Sequence, residues 1–315
     1  MRALNVPAAG AQPTVSDLPR PEPAPGTVLV KVKAVGLNAL DNALASGMLA
    51  EMFQHEYPLV LGRDAAGIVE AVGEGVAHVE AGDEVIGHVL LAPPVRAGTL
   101  ADYALLPADA VVAKPAGLDF EAAAALPLAG TAALASVDAI DAQPGQVVLV
   151  VGASGGVGSY AVQLLAARGA TVVATGLPAD ADRITGLGAN SVLDYTGAPV
   201  ADQARAAYPD GVDAVIDLVA WGPDGLPLAA VKPGGKVAST LGAADEQALA
   251  AAELTGTNIF SMPTRDVIGR LAEQAAAGTL TIDVEQTLPF DQAAEGLATI
   301  AAGKARGKIV VRVED

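Results

Sequence analysis

Residues 147–158, VVLVVGASGGVG, set the tightest limit on what this chain can fold into. An unbroken run of valines and leucine without alternation reads as a parallel strand covered on both faces. A turn of glycines and small residues comes next, and then an apolar stretch, 160–168, with helical spacing. The first free N–H groups of such a helix point back at the turn and form a ready site for a phosphate. In a dinucleotide fingerprint three small positions allow the tight turn, the close approach of a pyrophosphate and close helix–strand packing. Ala153, Gly155 and Gly158 hold those positions, with alanine in place of the first glycine. Ser154, Gly156 and Val157 complete the loop. The turn is either this cradle or a buried structural bend, and the strand before it and helix after it favour the cradle.

The rest of the chain divides by texture. Residues 1–117 are rich in glycine and proline, with strands expected at 28–35, 62–72, 83–90 and 99–106. From 118 apolar strands alternate with alanine-rich helices, the strands falling at 147–151, 171–175, 191–194, 213–218, 236–240 and 257–260. That alternation predicts an α/β doubly wound sheet of the Rossmann kind. From 262 a helix (265–277), a strand near Val284, a helix (291–302) and a strand (308–313) close the chain.

At 315 residues the chain has room for two domains. With 36 acidic against 18 basic residues, neither nucleic acid nor an anionic membrane surface is expected as a partner. The absence of cysteine removes disulfides, thiolate nucleophiles and cysteine-ligated metal. Without a signal-like start or a bilayer-length apolar run, a cytoplasmic location is expected.

Two other chemistries are tempting and fail. Gly152, Ser154 and Gly156 satisfy G-x-S-x-G, yet a hydrolase of that kind needs a histidine downstream, and the last histidine is His88. None of the five tyrosines has a lysine four residues on, as a short-chain dehydrogenase would require. His55, His78 and His88 lack the pairing expected of a metal site and read as exposed or hydrogen-bonded side chains.

Several ordered blocks carry a family resemblance: GLNALD (36–41), YPLVLGRDAAGIVEAVGEGV (57–76), GDEVIG (82–87), GTLADY (98–103), AAALPLAGTAAL (123–134), the glycine turn, LGANSVLDY (187–195) and GKIVV (307–311). Through them the chain resembles the zinc-independent medium-chain dehydrogenases/reductases of the quinone oxidoreductase and enoyl reductase kind. The resemblance implies a strand-rich, GroES-like catalytic domain, 1–117 with 262–315, an inserted Rossmann cofactor domain, 118–261, and an active site in the cleft. It also implies a homodimer, with an apolar edge at 236–240 or 257–260 suited to the pairing.

Zinc enzymes of the superfamily place a cysteine near the position of Asn38 and a His-Glu pair at Arg63-Asp64. Neither is present, and only the short stretch 88–98 stands where they carry a four-cysteine lobe. Without a Lewis acid to hold an alkoxide, the expected reaction is hydride transfer from NADPH to a quinone or an alkene conjugated with a carbonyl. A binding protein that holds NADPH with little turnover, as a redox sensor or structural component, is the alternative, and a zinc alcohol dehydrogenase is a third reading. Asn38 matches a family position at the cleft floor, although a turn-capping role suits it equally. Thr131 matches a position near the nicotinamide or is an ordinary helix threonine. Asp41 reads as structural, and Arg63 either meets substrate or pairs with Asp64 or Glu70. Thr175, Gly176, Leu218, Val219, Leu241, Gly242, Phe260 and Met262 lie at or just beyond strand ends, where ligands sit in such folds. No carboxylate occupies Thr175-Gly176-Leu177, where an NAD enzyme holds the ribose 2′-hydroxyl. NADPH is therefore preferred, with Arg183 and, by resemblance, Tyr195 in reach of a 2′-phosphate.

Overall fold

The computed structural model describes residues 1–313. The strands are β1 (Arg2–Val6), β2 (Thr14–Asp17), β3 (Thr27–Gly36), β4 (Leu59–Val60), β5 (Asp64–Val72), β6 (Glu84–His88), β7 (Tyr103–Pro107), β8 (Val111–Ala113), β9 (Val147–Val151), β10 (Thr171–Gly176), β11 (Ser191–Asp194), β12 (Val212–Asp217), β13 (Val231–Ser239), β14 (Thr255–Asn258), β15 (Val284–Pro289) and β16 (Lys308–Arg312). The helices are α1 (Ala39–Ser46), α2 (Phe120–Ala124), α3 (Pro127–Ile140), α4 (Gly156–Ala167), α5 (Ala181–Gly186), α6 (Val200–Ala207), α7 (Glu246–Ala251), α8 (Arg265–Ala276) and α9 (Ala293–Ala301). They form two compact units, Met1–Thr131 with Met262–Asp315, and Ala132–Ser261. The first division falls within α3.

In the first unit a sheet runs β15-β16-β3-β5-β6-β8, with β7 also on β3, beside a small sheet β2-β1-β4. The strand β3 alternates as its sequence requires, with Val28, Val30 and Val32 buried and Lys31 and Lys33 half-buried. Its partner β16 joins the sheet antiparallel, Val311 opposite Val35, and so brings the chain end into the core of the first hundred residues. Leu29, Leu37, Leu44, Leu59, Leu61 and Leu100 are fully buried around it.

In the second unit the sheet is parallel in the order β11-β10-β9-β12-β13-β14. This is the doubly wound arrangement with the order reversing between β9 and β12, where a crevice opens at the carboxyl ends. Three features differ from the sequence expectation. The helix α4 starts at Gly156, because the glycines themselves make its first turn. The strand β13 starts earlier, at Val231, with a register shift against β12. It is also interior, paired with both β12 and β14, so 236–240 is no free edge; β14 is. Among the described residues no helix is long and apolar enough to cross a membrane.

Candidate active site

The glycine turn comes directly after β9. Gly152 has φ +86°, the left-handed region that glycine enters at no steric cost. Its N–H donates to Thr175 Oγ1 at 3.0 Å, and its carbonyl accepts from Gly155 N–H at 3.2 Å. Thr175 and the Gly155 amide, both expected on the cofactor, are thus engaged in bracing the turn. Gly155 is the N-cap of α4 and supplies no side chain to it. The amides of Gly156, Val157 and Gly158 are consequently the helix's first N–H groups, without intrahelical acceptors and at the positive end of its dipole. A Cβ on Gly158 would lie 2.3 Å from the Gly152 oxygen and 2.5 Å from Ala153 Cα. The turn and the helix close on each other only because that side chain is missing.

Around the turn, Ala153 and Ser154 are buried. Arg183 donates from Nη2 to the Ser154 carbonyl at 3.1 Å, with an Asp180 oxygen 4.0 Å away. Gly176 packs under α5, where a Cβ would meet Ile184 Cδ1 at 2.6 Å. Tyr195, Val219 and Phe260 are exposed beyond β11, β12 and β14; Leu218 and Leu241 are half-buried, and Gly242, just beyond β13, is exposed. Asp217, not anticipated from sequence, shapes the loop after β12 by accepting from the N–H groups of Val219 (3.1 Å) and Ala220 (2.7 Å). Burial pushes its carboxyl above the ordinary range.

The first unit holds a buried polar network. Asn38 is the N-cap of α1, and its N–H donates to Asp41 Oδ2 at 2.9 Å. Lys308 Nζ donates to Asn38 Oδ1 (2.6 Å) and to the Leu37 carbonyl (2.7 Å). An ammonium only donates, so the Asn38 oxygen faces Lys308 and its NH₂ turns to Asp64 Oδ2 (2.9 Å) and the Gly36 carbonyl (3.1 Å). Both amide hydrogens are therefore bonded inside this unit. His88 Nδ1 lies 2.7 Å from Asp64 Oδ1; facing a carboxylate, that nitrogen carries the proton. Arg63, fully buried, donates to the carbonyls of Val60 (3.1 Å) and Ala97 (2.5 Å). Glu70, a candidate partner for it by sequence, pairs with Arg20 instead. His55 is half-buried beside Tyr57 (3.3 Å), and the exposed His78 meets the Val111 carbonyl (3.1 Å).

Burial pushes the Asp41 carboxyl up to about 7, against the pull of Arg63 and the Asn38 N–H. Burial likewise pushes Arg63 down to about 10 and Lys308 below the lysine range. An unfolded aspartate titrates near 3.9, so the folded state holds the Asp41 proton more tightly. That contribution to stability is complete below about pH 4 and is lost as pH rises through about 7. Between those values the parent should lose stability relative to Asp41→Asn, whose side chain does not titrate, by as much as ~1.4 kcal/mol per pH unit. Urea unfolding of both proteins at pH ~4.5, ~5.5 and ~6.5 measures it, and a difference independent of pH would refute it.

Thr131 sits one turn into α3, 4% exposed, and its buried hydroxyl has no hydrogen-bond partner among the described residues. An unmet buried hydroxyl costs about 1–3 kcal/mol, and a polar ligand group is what would satisfy it. Met262 is exposed. A pyrophosphate fits the glycine turn, with its cradle that a Cβ would fill and its free helix amides, and the Thr131 hydroxyl has room for a separate polar partner. A zinc ion does not fit the Asn38–Asp64 region, because Arg63 and Lys308 place two buried cations there. No group of three or more potential metal ligands occurs among the described residues.

Family models place an alcohol dehydrogenase GroES-like domain at 24–116 and a zinc-binding dehydrogenase domain at 187–311. The chain is 30% identical to the human mitochondrial NAD(P)H oxidoreductase RTN4IP1, over 92% of this chain and 82% of that protein. It is 31% identical to the chloroplastic NADPH-dependent alkenal/one oxidoreductase of Arabidopsis thaliana, over 94% and 74%. The solved quinone oxidoreductase of Coxiella burnetii superposes with TM-score 0.88 at 26% identity, covering 99% of this chain and 98% of that one. The glycine cradle, the strand order and these likenesses agree, and the chain belongs to the medium-chain dehydrogenases/reductases, among the quinone oxidoreductases and their NAD(P)H-dependent relatives.

Proposed function

We propose that this chain is a zinc-independent, NADPH-dependent reductase of quinones or of alkenes conjugated with a carbonyl. The observation that carries this reading is the pair of buried basic side chains: Arg63 itself, and Lys308 bonded to Asn38, at the positions where the resemblance puts the ligands of the zinc enzymes. Without a Lewis acid, and without the Tyr-Lys pair of the short-chain enzymes, alcohol oxidation loses stabilisation of its alkoxide, which favours substrates that are already electrophilic. The names of the relatives support the same substrate classes.

The amides of Gly156, Val157 and Gly158 bind the pyrophosphate, and the Thr131 hydroxyl orients the nicotinamide. When bound, the dihydronicotinamide supplies the hydride. The protein contributes orientation, exclusion of water and hydrogen bonds to the developing oxyanion, and solvent returns the proton. Pairing of two copies along the β14 edge completes the reading; a monomer in sedimentation at micromolar concentration would remove that part.

For the 2′-phosphate, the sequence 175–177 offers no repelling carboxylate, while Arg183 stands beside the turn and Asp180 and Asp182 lower the local potential. The preference for NADPH over NADH should be on the order of tenfold, or about 1.4 kcal/mol. Comparing kcat/KM for both cofactors with a quinone and with an enone tests activity and preference together. Binding of NADPH without turnover of either substrate would identify a binding protein instead. An equal or higher value with NADH would overturn the preference. An unchanged ratio in Arg183→Ala would take that arginine out of it.

A further inference from the structure

The carboxylate of Asp64 is fully buried and receives donors from three elements: Asn38 Nδ2 ahead of α1 (2.9 Å), His88 Nδ1 at the end of β6 (2.7 Å), and the backbone N–H of Leu128, shared between both oxygens at 3.2 and 3.3 Å. Leu128 is the second residue of α3, and Thr131 lies one turn later on the same helix. An N–H in the first turn has no intrahelical acceptor, and a carboxylate there is further favoured by the dipole.

The source of this cap sets α3 apart from its neighbours. The helices α2 and α7 are capped locally, by Asp119 on Ala122 N–H (2.7 Å) and by Asp245 on Ala248 N–H (2.9 Å), three residues along the chain and exposed. Those caps stabilise a helix without fixing where it lies. The acceptor for α3 comes from 64 residues away, at the first residue of β5, so it ties the start of the helix to the sheet. Asp64 is itself immobilised, since Lys308 on β16 fixes the amide of Asn38, which in turn holds Asp64 Oδ2.

The geometry points to Asp64 as a positioning residue for Thr131: it pins the first turn of α3 to β5, and His88, Asn38 and Lys308 hold its carboxylate in place. This rests on the reading of Thr131 as the group that orients the nicotinamide. A displacement of the reacting groups by about 1 Å can cost on the order of a hundredfold in rate, so a helix start held from a second element has a use that a local cap lacks.

A double-mutant cycle separates positioning from general structural support. Single-turnover hydride transfer from NADPH to a quinone is measured for the parent, Asp64→Asn, Thr131→Val and the double variant. Each single change should slow transfer by on the order of tenfold or more, and the double variant should be no slower than the slower single. In the protein without cofactor, amides 128–131 should exchange hydrogen faster in Asp64→Asn, while those of the glycine turn keep the parent rate. Losses that multiply in the double variant, or unchanged exchange at 128–131, would overturn the inference and leave the proposed function standing. A Thr131→Val variant as fast as the parent would instead overturn the reading of the site, and the inference with it. Should Asp64→Asn fail to fold, His88→Ala, which removes one of the three donors, enters the same cycle with the same pattern at smaller amplitude.

Discussion

Gly158→Ala should abolish measurable NADPH binding, weakening it by at least about a hundredfold, or about 2.7 kcal/mol. The added methyl would sit 2.3 Å from the Gly152 oxygen and 2.5 Å from Ala153 Cα. Both contacts are with backbone, which cannot swing aside as a flexible side chain would, so the turn and the start of α4 must separate. The amides of 156–158 then no longer converge. Gly155→Ala makes the informative contrast. Its φ is −84°, and a Cβ there would meet nothing closer than the Gly152 oxygen at 3.6 Å. The free protein should tolerate it, whereas a bound pyrophosphate needs the bare backbone at that place. Titration of NADPH by its fluorescence, with thermal unfolding of the free proteins alongside, separates the two. Gly158→Ala should lose both stability and affinity, Gly155→Ala affinity alone. Retention of binding within about tenfold in Gly158→Ala would refute the cradle.

The features legible in the sequence are those that local pattern determines. The run 147–151 is buried along its middle on both faces and leads into glycines, so its strand and turn can be read without a partner in view. The alternation of valine and lysine in β3 is equally local. The start of α4 is harder to place, because glycine lowers helix propensity, while packing against Gly152 and Ala153 stabilises a helical first turn there. The edge expected at 236–240 fails for a different reason: an apolar strand looks the same whether one neighbour or two pair with it, and β14 covers β13. The polar network is out of reach altogether. Lys308 and Asn38 are separated by 270 positions, and only the antiparallel pairing of β16 with β3 brings them together. A lysine opening an otherwise apolar strand, in GKIVV, and a charged pair between glycine and alanines, in GRDAAG, are the available signals. They mark burial of charge without saying which charges meet.

Asn38 and Thr131 look alike as candidates in the sequence, and the structure makes their expected failures different. Asn38→Ala removes a donor from buried Asp64 and one of two acceptors from buried Lys308. Charged groups left short of partners in the interior cost several kcal/mol, on the order of 2–4 here, and the unfolding midpoint in urea should fall accordingly. Thr131→Val keeps the shape and deletes a hydroxyl that has no partner among the described residues. Its stability should stay within about 0.5 kcal/mol of the parent or rise, since a desolvated hydroxyl is exchanged for a methyl. The loss should appear in turnover, where a nicotinamide no longer held at its productive angle costs tenfold to about a hundredfold in kcat. NADPH affinity should change little, because the pyrophosphate contacts carry most of it. Urea unfolding, NADPH titration and kcat with a quinone, measured on both variants, give the comparison. A Thr131→Val protein that is destabilised by more than about 1 kcal/mol, with kcat unchanged, would return Thr131 to the status of an ordinary helix residue.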